Sequence, residues 1–163
     1  MGTSRPIKDK KALEKFKNFY LKQEDYRNHA LIIIGLNTAL RISDILNLKW
    51  KDVYLFSHRR FKKHICLIEQ KTGKESIIAL NDAAITALSM ILHSYTEKNI
   101  FPEESDFIFI GRKHTGEPLS RSQAFRVIKE AAEAAGLDEH ISCHSLRKTF
   151  GYFAWKQGVF QLC

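Results

Sequence analysis

Cys143-His144-Ser145-Leu146-Arg147-Lys148-Thr149-Phe150 is the stretch on which the reading of this chain turns. It sets a histidine and an arginine three positions apart at what reads as a helix start. Ser145 suits the N-cap, and Leu146, Phe150, Phe153 and Ala154 follow at helical spacing, so a helix is expected to run to about Lys156 and stop at Gly158. His144 and Arg147 then stand at its positive end. Free backbone N–H groups, an imidazole and a guanidinium fork together favour an anion, most naturally a phosphate. The same pair serves equally well as a cap beside a surface charge, so partners elsewhere in the chain must decide.

The first candidate partner lies a hundred residues upstream. A helix from about Tyr26 to Ala39 carries Leu31, Ile32, Ile33, Ile34 and Leu36 and is apolar nearly all round, so it belongs in the middle of the fold. It leads into Leu40-Arg41-Ile42-Ser43-Asp44-Ile45-Leu46, where Ser43 can cap a short further helix. Arg41 sits at the junction among apolar neighbours and needs a partner, because a buried unpaired charge is costly. Asp44 supplies one structurally; a bound phosphate supplies one functionally. The second candidate is a hairpin. The β-branched runs Lys63–Gln70 and Glu75–Leu80 flank Lys71-Thr72-Gly73-Lys74, which places Lys71 and Lys74 at an exposed tip, as solvating charges or as mobile cations of a site.

The remaining segments frame these. A lysine-rich amphipathic helix begins at Asp9, with Leu13, Phe16, Phe19 and Tyr20 on its apolar side, and Asn81 caps a helix to about Lys98. Phe107–Ile110 reads as a short buried segment, and Gly111–Leu119 as a loop carrying Arg112, Lys113 and His114. Ser120 and Gln123 form a capping box opening a helix to Ala135 that Gly136 closes. Arg121, Arg126 and Lys129 decorate that helix and suit one laid against DNA, though a solvated face explains them too. Residues 1–8 read as a tail or linker.

Length and composition agree with one domain, residues 9–163, of α+β class: mainly helical, with a small antiparallel hairpin at one edge. The chain has 163 residues, with 26 Lys+Arg against 18 Asp+Glu for a net charge of +8, which favours a polyanionic partner such as nucleic acid. Cys66, Cys143 and Cys163 are an odd count without close pairing, so neither a disulfide framework nor a zinc site is indicated. The longest aliphatic run, Leu31–Ile34, is too short for a membrane span or signal segment, and a cytoplasmic protein is expected.

Arg41 in Leu-Arg-Ile-Ser-Asp-Ile, Lys71 in the Lys-Thr-Gly-Lys tip and His144-Ser-Leu-Arg147, in that order and at those spacings, resemble the catalytic domain of the tyrosine recombinase or phage integrase family. The resemblance covers roughly Lys8 to Val159. It implies a bacterial, DNA-associated enzyme of site-specific recombination that cleaves and rejoins strands through a 3′-phosphotyrosine, without metal or other cofactor. Arg41 and Arg147 are then expected to hold the phosphate oxygens, Lys71 to protonate the leaving 5′ oxygen and His144 to assist. Lys74, Arg121, Arg126 and Lys129 are expected DNA contacts. The partner is double-stranded DNA, with the full-length protein a tetramer on it and this chain alone a monomer.

The family pattern continues with another helix and then the nucleophilic tyrosine, and neither motif precedes Cys163. Tyr152 follows Arg147 by five residues, about 500° or ~140° around a helix, and so points away. The expectation is therefore a partial catalytic domain without its nucleophile. Two alternatives stand beside it: a DNA-binding module without chemistry, such as a decayed integrase, and a type IB topoisomerase-like activity.

Overall fold

The aliphatic run at Leu31 forms the centre of the structure, which is a computed structural model describing residues 3–111, 113, 116–138 and 140–158. Helix α2 (Tyr26–Asn37) is buried continuously from Asn28 to Gly35. It packs chiefly against α5 (Asp82–Glu97) and α7 (Cys143–Lys156), which is why no polar side was visible in its sequence. At Gly35 the crossing with α7 is tight. A Cβ there would stand 2.5 Å from Leu146 Cδ1 and 3.1 Å from Leu146 Cβ, so the missing side chain sets how closely α7 approaches.

The outer elements follow from local chemistry. The Asp9 carboxylate accepts from the amides of Lys11 and Ala12 to open α1 (Lys10–Asn18), which buries Phe16. A 3₁₀ turn, Leu21–Gln23, leads to Asp25, which caps α2 through the Asn28 amide. Helix α6 (Arg121–Ala134) opens with the expected capping box: Gln123 N–H donates to Ser120 Oγ at 3.1 Å, and Ser120 N–H to Gln123 Oε1 at 2.9 Å. Tyr20 ties the end of the first helical segment to α6, its hydroxyl donating to the Val127 carbonyl at 2.6 Å. Gly136 and Gly158 follow α6 and α7 with φ of 73° and 78°, the left-handed conformation that ends helices.

Between the helices lie two separate antiparallel pairs, where one hairpin was expected. Strands β1 (Tyr54–Leu55) and β2 (Arg60–Phe61) form a minimal pair after the short helix α4 (Trp50–Val53), with Tyr54 edge-on to both Phe56 and Phe61. The expected hairpin is β3 (His64–Ile68) with β4 (Glu75–Ala79), in the register Ile68↔Glu75 to His64↔Ala79. Ile65 and Leu67 face the core while Cys66 and Ile68 face outward, the period of two that a one-sided sheet requires.

Two caps differ from expectation. Helix α7 starts at Cys143, not after Ser145: Ser142 is the extended N-cap residue, and its N–H donates to Ser145 Oγ at 2.9 Å. Ser145 is fully buried at the third helical position, so two serines three apart share the closing of this end, and His144 falls inside the first turn. Likewise Arg41, in extended backbone, precedes α3 (Ile42–Leu46), and Ser43 lies within that helix. Thr38 shifts the junction: its hydroxyl donates to the Ile34 carbonyl at 2.8 Å and accepts from the Leu40 amide, ending α2 at Asn37.

Residues 3–8, expected as a tail or linker, run along α7. Ile7 is 1% exposed and its N–H donates to Thr149 Oγ1 at 2.8 Å; the Ser4 and Ser142 hydroxyls meet at 2.7 Å, and Lys148 Nζ donates to the Ser4 carbonyl. Arg112, His114 and Cys163 lie outside the described residues. Among the described residues no helix is long and apolar enough to cross a membrane.

Candidate functional site

Four elements distant in sequence border one cleft of about 710 Å³: the start of α3, the tip of the β3–β4 hairpin, the first turns of α6 and the first turn of α7. Arg41, Lys71, Arg121 and His144 all line it, so three cations from positions 41 to 121 and an imidazole share one opening.

Arg41 reaches the cleft from the α2–α3 junction. Its Nη1 donates to Glu69 Oε2 at 2.8 Å, with both side chains about one-fifth exposed (23% and 22%). The carboxylate that pairs with it is therefore Glu69, at the end of β3, and not Asp44. Asp44 belongs to the buried first turn of α3, where its Oδ1 accepts from the Gln70 amide at 3.1 Å. Glu69 is in turn held by Ser76 Oγ, donating to Oε1 at 2.6 Å, and by Thr72 Oγ1, donating to Oε2 at 3.0 Å. The hydroxyls of Ser76 and Thr72, with the Arg41 guanidinium, bring its carboxyl down to about 2, far below the usual carboxylate range.

Lys71 follows two residues later, exposed on a turn closed by Gly73 N–H donating to the Glu69 carbonyl at 2.8 Å. Gly73 takes φ +70° there, which a side chain would resist. Lys74 is exposed on the same tip, outside the lining of the cleft. On α7, His144 is exposed in the first turn, where backbone N–H groups have no partners within the helix. Arg147 is half-buried one turn further along and does not line the cleft directly. Cys143, also in the wall, is burial-shifted, its thiol pushed up to about 11.

The cations of α6 divide between sides. Arg121 opens onto the cleft, and one turn later Phe125, 43% exposed, lines it as well. Lys129 Nζ lies 5.8 Å from the Phe125 ring. Arg126 sits over a different cleft, shared with Gln123 and Glu130. The five tyrosines, all among the described residues, are absent from the lining. Tyr152 instead packs under Lys8 and Lys156, 5.1 and 5.5 Å from its ring.

The arrangement suits a singly or doubly charged oxyanion: a guanidinium fork, an ammonium, an imidazole and a helix start converge, with one carboxylate set behind the first arginine. Sequence reasoning missed Glu69 and Phe125. An exposed phenylalanine four residues after Arg121, off the apolar side of α6, was the available signal for Phe125; nothing local marked Glu69 beyond its place two residues before Lys71.

Residues 8–159 match the phage integrase family. The chain is 37% identical over 157 residues to a probable integrase/recombinase, YoeC, of Bacillus subtilis (strain 168), covering 96% of this chain and 78% of that protein. It is 31% identical over 134 residues to the tyrosine recombinase XerD of Listeria monocytogenes serotype 4b (strain F2365), covering 82% of this chain but 42% of XerD, so it spans less than half the length of that relative. Among solved structures, XerA recombinase superposes with a TM-score of 0.71 at 20% identity, over 96% of this chain and 53% of XerA. XerH site-specific recombinase, in a pre-cleavage complex with its difH substrate, gives 0.71 at 23% identity, over 95% and 44%. At those identities the structural likeness is one of fold, and it is an integrase catalytic-domain fold. With the family match spanning nearly the whole chain, this protein belongs to the phage integrase family of tyrosine recombinases.

Proposed function

We propose that this chain supplies the phosphate-binding and proton-donating part of a site-specific DNA cleavage and rejoining reaction. The observation that carries the reading is the meeting of Arg41, Lys71 and His144 at one cleft, with Arg147 a turn behind. Arg41 and Arg147 bind non-bridging oxygens of the scissile phosphate and stabilise charge that grows as phosphorus becomes five-coordinate. A tyrosine hydroxyl gives up its proton to solvent, with His144 assisting that transfer, as its oxygen bonds to phosphorus and the bond to the 5′ oxygen breaks, and Lys71 gives the departing oxygen a proton. His144 donates a hydrogen bond to the phosphate. Rejoining reverses each transfer, with a 5′ hydroxyl attacking and the tyrosine leaving.

On this reading the nucleophilic tyrosine lies outside residues 1–163, whose five tyrosines are absent from the cleft lining, and is delivered to the cleft in cis or in trans. The substrate is double-stranded DNA, and the whole protein works as a tetramer on it while residues 1–163 alone are monomeric. Arg121, Lys74 and Lys129 contact the backbone around the scissile step, and Arg126 extends the contact from its own side of α6.

Residues 1–163 are expected to bind duplex DNA with affinity falling steeply in salt, each neutralised phosphate adding about 0.9 to the log–log slope. They are expected to form no covalent adduct with a nicked suicide duplex. With a tyrosine-bearing C-terminal segment joined on, Arg41→Ala and Arg147→Ala should each lower adduct formation by about 10²-fold or more while binding weakens only modestly. An adduct formed by residues 1–163 alone would sink the assignment of the nucleophile. Equal losses of binding and cleavage would make these arginines DNA anchors in a module without chemistry.

A further inference from the structure

From the contacts around Glu69 we infer that it is a positioning residue of the cleft, locking the Lys71 hairpin to Arg41 so that both cations meet a phosphate as a preassembled pair. The inference rests on the phosphate-clamp reading of those two cations. Each polar group of Glu69 is committed to this task. Its N–H donates to the Lys74 carbonyl at 2.9 Å and its carbonyl accepts from Gly73 at 2.8 Å, closing the turn that carries Lys71. Its carboxylate spans the hairpin to Ser76 and Thr72 and, through Oε2, takes Arg41 Nη1.

A second tie runs in the opposite sense, from the Gln70 amide to Asp44 Oδ1 at 3.1 Å. The start of α3, from its N-cap residue Arg41 to Asp44, therefore gives the hairpin one donor and one acceptor, and the two ties fall on the two residues before Lys71. A carboxylate beside a phosphate-binding arginine opposes anion binding, so affinity does not explain its presence; orientation does. The contact is monodentate, through one terminal nitrogen, which leaves a second edge of the guanidinium for phosphate oxygens. The positive charge of Lys71 then arrives already placed, at no ordering cost when DNA binds.

The test is a double-mutant cycle on duplex binding by residues 1–163, read by fluorescence anisotropy across a salt series, with hydrogen exchange on the same variants. In the parent chain Lys71→Ala should weaken binding severalfold and lower the salt slope by about 1. In Glu69→Ala the same Lys71 change should cost almost nothing further, and the Gln70 amide should exchange roughly tenfold faster while α2 amides are unchanged. Glu69→Gln, which keeps an acceptor for Arg41, should restore most of the Lys71 effect, and Glu75→Ala on the exposed neighbouring strand should leave it intact. Should Glu69→Ala lose the fold, Ser76→Ala loosens the same carboxylate more gently and should reduce the Lys71 contribution in the same direction. A Lys71 contribution equal in all folded backgrounds overturns the inference and leaves the clamp standing. A Lys71→Ala change without effect in the parent overturns both.

Discussion

Replacing Gly35 by alanine tests whether the approach of α7 to α2 is set by that single missing methyl. Two effects oppose each other. In a helix interior, alanine is more favourable than glycine by about 0.8–1.0 kcal/mol. Against this, the new Cβ would lie 2.5 Å from Leu146 Cδ1 and 3.1 Å from Leu146 Cβ. The Cδ1 contact can be relieved by rotating Leu146, but Leu146 is 2% exposed and has little space to enter. The Cβ contact is fixed to the α7 backbone and is relieved only by moving the helix a few tenths of an ångström. Overpacking of this kind costs about 1–3 kcal/mol, so the net change is a loss of about 0–2 kcal/mol, or a few degrees in melting temperature for a domain of this size.

Urea denaturation of Gly35→Ala, Leu146→Ala and the double variant reads this directly. Leu146→Ala alone should cost about 2–5 kcal/mol, because it empties a buried site. In the double variant the 2.5 Å clash is gone and the new methyl partly fills that space, so the two losses should fall short of additivity by at least about 0.5 kcal/mol. A Gly35→Ala chain stabilised by the full helix-propensity gain, or losses that add independently, would refute the reasoning. The functional corollary is that α7 bears His144 and Arg147, so a shifted α7 should weaken DNA binding more than the stability change alone accounts for.

Two further outcomes follow from buried titratable groups. His29 is buried with Nδ1 3.0 Å from the Lys17 carbonyl, and burial lowers its pKa from the ordinary value. In the folded chain the neutral ring is preferred, so the unfolded chain binds more protons below about pH 6.5, and the contribution of His29 to stability is present above that pH and lost as pH falls toward the depressed folded value. Denaturation midpoints measured from pH 7.5 to 5 should decline, and His29→Gln should flatten that decline; an unchanged slope would count against a buried neutral imidazole. Cys143, whose thiol is pushed up to about 11, should be alkylated by iodoacetamide at pH 8 much more slowly than the exposed Cys66. Peptide mass spectrometry after short exposure checks this, and equal rates would show that Cys143 is not held in its buried setting.

Much of the candidate site rests on local signals. Arg41 stood out as a cation at the end of an all-apolar helix, Lys71 as the tip of a hairpin with a glycine turn, and His144 with Arg147 as a pair at a helix start. The structure brings Arg41, Lys71 and His144 to one cleft, and α2, which ends at Asn37 four residues before Arg41, is also the helix on which α7 packs. The partner of Arg41 was read less well. Asp44 was the nearest acid in sequence, yet Glu69, twenty-eight positions from Arg41, makes the ion pair. Sequence proximity identifies which groups can meet, but the choice between two carboxylates was made by how the hairpin docks on α3. The cap of α7 shows the same limit on a smaller scale: Ser142 and Ser145 both have capping chemistry, and in the fold Ser142 is the N-cap while Ser145 is buried in the first turn and accepts from the Ser142 amide.

By itself, the sequence determined α1, α2, α5, α6 and α7, the β3–β4 hairpin and the order of the site motifs, since each depends on a repeat of 3.6 or 2, a capping side chain or a turn glycine within a few residues. The tertiary structure alone decided which side of α6 faces the cleft, separating Arg121 from Arg126, and laid residues 3–8 along α7. It alone tied Arg41 to the lysine hairpin through Glu69. These are contacts between segments tens to more than a hundred residues apart, governed by how closely whole helices pack, and no local pattern in the chain encodes a distance of that kind.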